Sequence, residues 1–198
     1  PTINISAGDE CAFKLSCKNG NLDVAKWLYQ IKPTIDISAE NEFALIWSCK
    51  NDHLEVAKWL YEIKPTINIS VRKEEVFRLS CYHGHLDFAK WLYEIKPTIN
   101  ISILNEEAFR LSCYFGHLEV AKWLYEIKPT INISANNEDV FRTVCSRCHL
   151  EVVKWLYQIK PTIDISVGDE CVFKWSCRKG HLEVAKWLYE IKPTIDIS

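Results

Sequence analysis

Nine cysteines and six histidines are the residues of this chain whose chemistry could reach beyond packing. Thiolates and imidazoles hold zinc, close disulfides or act as nucleophile and base. Each use requires a spacing that brings two or more of them to one point. Six of the cysteines, Cys17, Cys49, Cys81, Cys113, Cys145 and Cys177, recur every 32 residues, and so do His53, His85, His117, His149 and His181. Residues that share one position of a repeat are expected about one helix spacing apart, roughly 8–10 Å. That exceeds the ~7 Å Cα separation a disulfide tolerates and the reach of a shared zinc site. The cysteines therefore read as small buried hydrophobes and the histidines as capping or packing residues. Cys145 and Cys148 form a C-x-x-C beside His149, but Cys148 stands where most other repeats have glycine, so drift of a turn explains it better than redox or metal chemistry. No Ser/His/Asp set, phosphate-binding glycine loop, H-E-x-x-H helix or paired-carboxylate pocket occurs. The reading is a non-enzyme with no cofactor, no metal and no small-molecule substrate. An odd number of unpaired thiols points to an intracellular, reducing compartment.

The elements that carry these residues follow from the same period. All seven prolines, from Pro1 to Pro193, fall 32 residues apart, as do Trp27, Trp59, Trp91, Trp123, Trp155 and Trp187. Aromatics at 12% with only six glycines exclude a disordered or collagenous chain. No apolar run approaches the roughly 18 residues of a membrane span. In the segment Leu118–Lys128 the apolar residues Leu118, Val120, Ala121, Trp123, Leu124 and Ile127 keep helical spacing, and Lys122 and Glu126 stand as an i,i+4 pair. Pro129 ends that helix. The Thr-Ile-Asn-Ile-Ser segment after it alternates like a short extended arm. Asp9, Asn41, Asn105, Asn137 and Asp169 then stand where a side chain could cap the next helix. Glu10, Glu42, Glu74, Glu106, Glu138 and Glu170 follow, where a helix dipole favours a carboxylate. A first helix such as Glu106–Tyr114 presents Ala108, Phe109, Ser112 and Cys113 on one face and stops at Gly116.

Each repeat is thus helix, turn, helix, arm. One such unit cannot bury its own apolar face, so neighbours must stack. The predicted fold is an all-α solenoid: one domain over 1–198 with repeats at 1–32, 33–64, 65–96, 97–128, 129–160 and 161–192, the six tryptophans forming a ladder in its core. Residues 193–198 repeat the first six in pattern and are expected to open a seventh copy.

Gly116-His117-Leu118-Glu119-Val120-Ala121-Lys122-Trp123-Leu124, repeated at Gly84-His85-Leu86 and Gly180-His181-Leu182, resembles the turn and second helix of the ankyrin repeat. Ser112-Cys113 stands where that family usually has Ala-Ala. The Ala-Lys-Trp-Leu-Tyr flavour and the period of 32 resemble the divergent ankyrin arrays of large amoeba-infecting DNA viruses, which would make the compartment a host cytoplasm. The Thr-Pro-Leu-His opening and the Asp-Gly hairpin finger of the family are absent, implying a shortened finger. The resemblance implies a scaffold for protein partners, which dock on the residues before the turn and on the loop ahead of the first helix.

Those are the positions where the six copies differ. One rung reads Lys14, Ile46, Arg78, Arg110, Arg142, Lys174; another Lys18, Lys50, Tyr82, Tyr114, Ser146, Arg178; the next Asn19, Asn51, His83, Phe115, Arg147, Lys179. These rungs hold ten basic residues and no acid, partly offset by the i,i+3 pairs Glu75–Arg78, Glu107–Arg110 and Asp139–Arg142. Tyr with Arg is the residue mix of interface anchors. The candidate site is therefore Lys14, Lys18, Lys50, Arg78, Tyr82, His83, Arg110, Tyr114, Phe115, Arg142, Arg147, Lys174, Arg178 and Lys179, and it would suit an acidic protein segment. A net charge of −2 disfavours nucleic acid. End-to-end stacking of copies is the structural alternative. Thr143, Val144, Cys148 and Val153 depart from the template together. The repeat from Asn137 to Tyr157 should accordingly exchange its amide hydrogens faster than the other repeats; slow exchange there would refute this.

Overall fold

The computed structural model describes residues 7–133, 135–165 and 167–195. Among them twelve α-helices occur and no strand. None is long and apolar enough to cross a membrane. The chain divides into two compact units, Pro1–Ile103 and Leu104–Ser198.

The first unit contains α1 (Ala7–Lys18), α2 (Leu22–Ile31), α3 (Ala39–Lys50), α4 (Leu54–Ile63), α5 (Val71–His83) and α6 (Leu86–Ile95). α1 packs on α3 and α3 on α5, and each also packs on the second helix of its own pair. The core is periodic: Phe13, Leu45 and Phe77 with Cys17, Cys49 and Cys81 come from the first helices, Ala25, Ala57 and Ala89 with Leu28, Leu60 and Leu92 from the second, and all are buried. The buried hydroxyls of Ser16, Ser48 and Ser80 donate back to the carbonyls of Phe13, Ala44 and Phe77, so each serine fills a small core position without an unmet donor.

The second unit contains most of α7 (Ile103–Tyr114), then α8 (Leu118–Ile127), α9 (Ala135–Ser146), α10 (Leu150–Ile159), α11 (Val167–Arg178) and α12 (Leu182–Ile191). Ala108, Phe109, Ser112 and Cys113 are all buried there, as their shared helix face predicts. Phe141, Val144 and Cys145 continue the pattern in α9.

In the arms the isoleucines alternate with exposed residues and, among the described residues, are all buried, for example Ile35 and Ile37 on either side of Asp36. The backbone makes successive turns rather than an extended segment, with the Ile35 N–H bonded to the Lys32 carbonyl at 3.2 Å. The helix starts also differ from expectation. Asn41 and Asn105 do not cap; each is the middle of three consecutive left-handed residues, Glu40-Asn41-Glu42 and Leu104-Asn105-Glu106, and Arg72-Lys73-Glu74 repeats the turn. The side chains of Asp9, Asn137, Glu138, Asp169 and Glu170 lie outside the described residues. The oxygens that accept at the helix entry belong to the arm instead: Asp36, Asn68 and Asn100 take the N–H groups of Ser38, Ser70 and Ser102 at 3.0–3.1 Å.

The left-handed turn costs about 1–2 kcal/mol per non-glycine residue, so something must hold it. Part of the answer is the glutamate that ends it. Glu10 accepts from Lys32 at 2.8 Å and from the Asp36 N–H at 2.9 Å. Glu42 accepts from the Asn68 N–H at 3.1 Å, and Glu106 pairs with Lys128 at 3.1 Å. Glu74 takes the Ser70 hydroxyl at 2.5 Å, with Lys96 at 3.8 Å. These carboxylates latch the turn to the following arm rather than merely facing a helix dipole.

The Trp ladder is also not a core feature. Trp59 alone is buried; Trp27 is 56% exposed. Four of the rings instead meet the tyrosine of the preceding repeat edge-on: Tyr29 with Trp59 and Tyr61 with Trp91 at 6.0 Å, Tyr125 with Trp155 at 6.0 Å, Tyr157 with Trp187 at 5.5 Å. Lys122 turns to Glu119 at 2.9 Å, not to Glu126, because a carboxylate in the first turn is favoured by the dipole and one in the last turn is not.

The turn within five of the six pairs, all but α9–α10, is a Schellman motif. The His117 N–H bonds to the Ser112 carbonyl at 2.8 Å and the Gly116 N–H to that of Cys113 at 3.1 Å, with Gly116 at φ +78°. A Cβ on Gly116 would lie 2.5 Å from the His149 ring, whereas one on Gly180, at φ +75°, meets open space. Gly180→Ala should therefore cost about 1 kcal/mol, the conformational penalty alone. Gly116→Ala should cost on the order of 1–3 kcal/mol more for the ring it displaces. Urea midpoints of the two variants measure the difference, and equal shifts would sink the contact argument.

Candidate functional site

The cysteine and histidine rungs resolve into structural roles. Cys17, Cys49, Cys81, Cys113 and Cys145 are free and buried. Burial pushes the Cys17 and Cys81 thiols up to about 12 and raises Cys49, Cys113 and Cys145 as well, so none of them supplies a thiolate at neutral pH. The Cys49 thiol donates to the Val76 carbonyl at 3.1 Å, bridging two repeats. Cys148 is exposed while Cys145 is buried, so the C-x-x-C splits between solvent and core. Among the described residues no three of His, Cys, Asp and Glu are grouped as metal ligands would be.

The histidines cap. His85 Nε2 lies 3.3 Å from the Lys50 carbonyl and His181 Nε2 lies 3.0 Å from that of Ser146, each at the end of the preceding repeat's first helix. In the second repeat Asn51 does this, donating to the Lys18 carbonyl at 2.7 Å. These groups satisfy carbonyls that a helix end leaves without partners. Asp52 Oδ2 stands 3.6 Å from His85 Nδ1. Burial, with the charges of His117, Arg147 and His181, holds His149 below the usual imidazole value.

The variable rungs lie at the ends of the first helices. In the first unit, Lys18 and Lys50 are brought together on one ring: their ammonium groups lie 4.1 and 4.6 Å from the centroid of Trp47. Lys14 is buried and held by Glu40, which removes it from any exposed strip. Arg78 donates to the Lys73 carbonyl at 2.9 Å and to that of Arg72 at 3.3 Å, binding its own left-handed turn, while Glu75 pairs with Arg72. Tyr82 meets His83 edge-on at 4.6 Å, and His83 stacks on His85 at 5.6 Å.

In the second unit, Arg147 lies over the Tyr114 ring at 4.3 Å, and Tyr114 meets Phe115 edge-on at 4.7 Å. Asp139 does not pair with Arg142; its carboxylate lies 3.9 Å from Arg110 of the preceding repeat. Arg142 thereby keeps its charge for the groove between α9 and α11. That groove, about 450 Å³, is lined by Asp139, Arg142, Thr143, Arg147, Trp175 and Lys179, among others. Arg178 lies 5.0 Å from the Trp175 ring, and Lys174 is exposed.

Trp47 and Trp175 escaped the sequence reading although a signal existed. The chain has eight tryptophans, and the 32-residue ladder accounts for six. The two left over share one repeat position on the first helix, and both collect basic side chains. The burial pattern of the thiols is directly testable. In the native protein iodoacetamide should modify Cys11, Cys148 and Cys177, all exposed, and reach Cys17, Cys49, Cys81, Cys113 and Cys145 only after unfolding. Peptide mapping reads the outcome, and rapid native labelling of Cys113 would contradict the buried rung.

Residues 3–73 match the family model of ankyrin repeats in three copies. No curated protein matches the chain in sequence. Among solved structures, a chain from the Bd0816 predatory endopeptidase of Bdellovibrio bacteriovorus in complex with immunity protein Bd3460 is similar in fold. Its TM-score is 0.69 at 16% identity, with 91% of this chain and 97% of that chain covered. The residues beyond 73 carry the same template in phase with the matched ones, on helix pairs of the same kind. Residues 3–73 thus match ankyrin repeats, and the fold of the chain is that of a stacked array of such helix pairs.

Proposed function

We propose that the chain is a non-catalytic scaffold that binds an acidic segment of a protein partner on the ends of its first helices, with the groove between α9 and α11 as the main seat. The observation that carries this reading is the charge balance of that groove. Arg142, Arg147 and Lys179 face it, and its one described carboxylate, Asp139, lies beside Arg110. Trp175 gives it an apolar and aromatic wall on which a side chain of the partner can rest. The similar solved chain comes from a complex between an endopeptidase and an immunity protein, which supports a role in protein–protein contact. Lys18, Lys50 and Trp47 form a second, smaller basic and aromatic patch in the first unit. A run of buried free thiols fits a reducing, intracellular setting.

The test is a partner captured from cells and identified by mass spectrometry, then titrated against purified variants. Arg142→Glu with Arg147→Glu should weaken binding at least about tenfold and flatten its salt dependence, without change in helical circular dichroism. Lys122→Glu, on a second helix and paired with Glu119, should leave binding unchanged. Equal affinity of the double variant and the parent would overturn the assignment.

A further inference from the structure

Two interfaces of the second unit carry the same crevice between successive first helices, and at one of them the side chains that would fill it are missing. Between α7 and α9 it is lined by Arg110, Leu111, Tyr114, Val140 and Thr143, among others, and holds about 60 Å³. Between α9 and α11 the residues one period later, Arg142, Thr143, Ser146, Val172 and Trp175, line a space of about 450 Å³. Thr143 stands where earlier repeats have Leu79 and Leu111, and Ser146 where they have Tyr82 and Tyr114. Both hydroxyls turn back on their own helix, Thr143 donating to the Asp139 carbonyl at 2.6 Å and Ser146 to that of Thr143 at 2.7 Å. They contribute room rather than hydrogen bonds to a ligand.

The small residue at 146 also changes what lies on the next ring. At Trp47 the preceding repeat places the Lys18 ammonium 4.1 Å from the ring centroid. At Trp175 the residue in the Lys18 register is Ser146, too short to cover the indole. The groove therefore combines an aromatic wall with Arg142, Arg147 and Lys179. Among the described residues no carboxylate pairs with any of these three cations, and Asp139 lies beside Arg110.

Three cations exceed what the single charge of a carboxylate needs. A phosphate monoester carries nearly two charges at neutral pH and three acceptor oxygens, which guanidinium forks match. The wall of Trp175 and Val172 suits a flat ring joined to that phosphate. Asp139 and Thr143 also line the neighbouring crevice with Arg110 and Tyr114, so the basic, aromatic strip continues past the groove as an extended segment requires. Building on the acidic-partner reading above, we infer that the anchor of the partner segment is a phosphotyrosine, its ring on Trp175 and its phosphate among Arg142, Arg147 and Lys179.

Phenyl phosphate, titrated into the labelled chain by NMR, is the minimal probe. It should bind more tightly than inorganic phosphate, which lacks the ring, and than benzoate, which has the ring and a single charge. Thr143→Leu with Ser146→Tyr refills the groove with the residues found at 111 and 114 and leaves all three cations. That variant should lose at least about tenfold in phenyl phosphate affinity with unchanged helical circular dichroism. Trp175→Ala, at a position 40% exposed where the fold is not at stake, should erase the advantage of phenyl phosphate over inorganic phosphate. Equal affinity for the three probes, undiminished binding in the refilled variant, or tighter binding of adenosine monophosphate than of phenyl phosphate would overturn the inference. The captured partner separates it from the broader reading, because a tyrosine phosphatase should weaken that complex about tenfold. A complex that survives the phosphatase and still needs Arg142 and Arg147 would overturn the phosphotyrosine and leave the acidic segment standing. One that needs neither arginine would overturn both.

Discussion

A pair of ten-to-twelve-residue helices carries an apolar face that it has no means of covering by itself, and the whole structure is organised around that deficit. Helices this short are marginal alone, so their order comes from what they bury. Phe77 and Cys81 on α5, with Ala89 and Leu92 on α6, are buried because copies of the same residues arrive 32 positions earlier in sequence and one helix spacing away in space. The side chains on the first-helix face nearest the neighbour are small, Ser80 and Cys81, and that lets the helices approach closely. The serine hydroxyl folded back on Phe77 removes the cost that a buried donor would otherwise impose.

Stacking apolar faces also buries helix ends, and their polar groups need partners from outside the helix. The chain supplies them from the next repeat. Asn51, His85 and His181 each reach the last carbonyl region of a preceding first helix. Glu10, Glu42 and Glu106 reach the following arm or the lysine just before it. Both sets close only when adjacent repeats are in place, so they reinforce the cooperativity that the apolar contact begins. They also hold three consecutive left-handed residues at Arg72-Lys73-Glu74 and its counterparts, a conformation that an isolated peptide would abandon.

What remains outside this economy of repeat contacts is the end of each first helix. There the copies are free to differ, and they differ toward aromatic and basic residues. Lys18 and Lys50 on Trp47, Arg147 on Tyr114 and Arg178 on Trp175 are the same device built from different residues. A cation held on a ring face keeps its charge and gives up little entropy when a carboxylate arrives, which suits a surface that must meet an acidic partner.

The period of 32 and the alternation of apolar positions were enough, without coordinates, to read twelve helices in pairs, the turn at Gly116 and the burial of the Cys and Phe rungs as far as Phe141 and Cys145; Cys177 was read as buried too and is exposed. These depend on contacts between residues close in sequence or identical in register, which a repeat displays openly. The ankyrin resemblance came from the same residues. Tertiary structure alone decided the rest, because it turns on which of several nearby partners a charged or polar group selects. Asn41 looked like a cap and is a left-handed link; Lys14 looked exposed and is buried against Glu40; Asp139 could have paired with Arg142 and faces Arg110. Electrostatic attraction is long-ranged and weakly directional, so sequence spacing does not rank such choices. Apolar burial is set by periodicity, and for this protein that is where sequence and structure agree most closely.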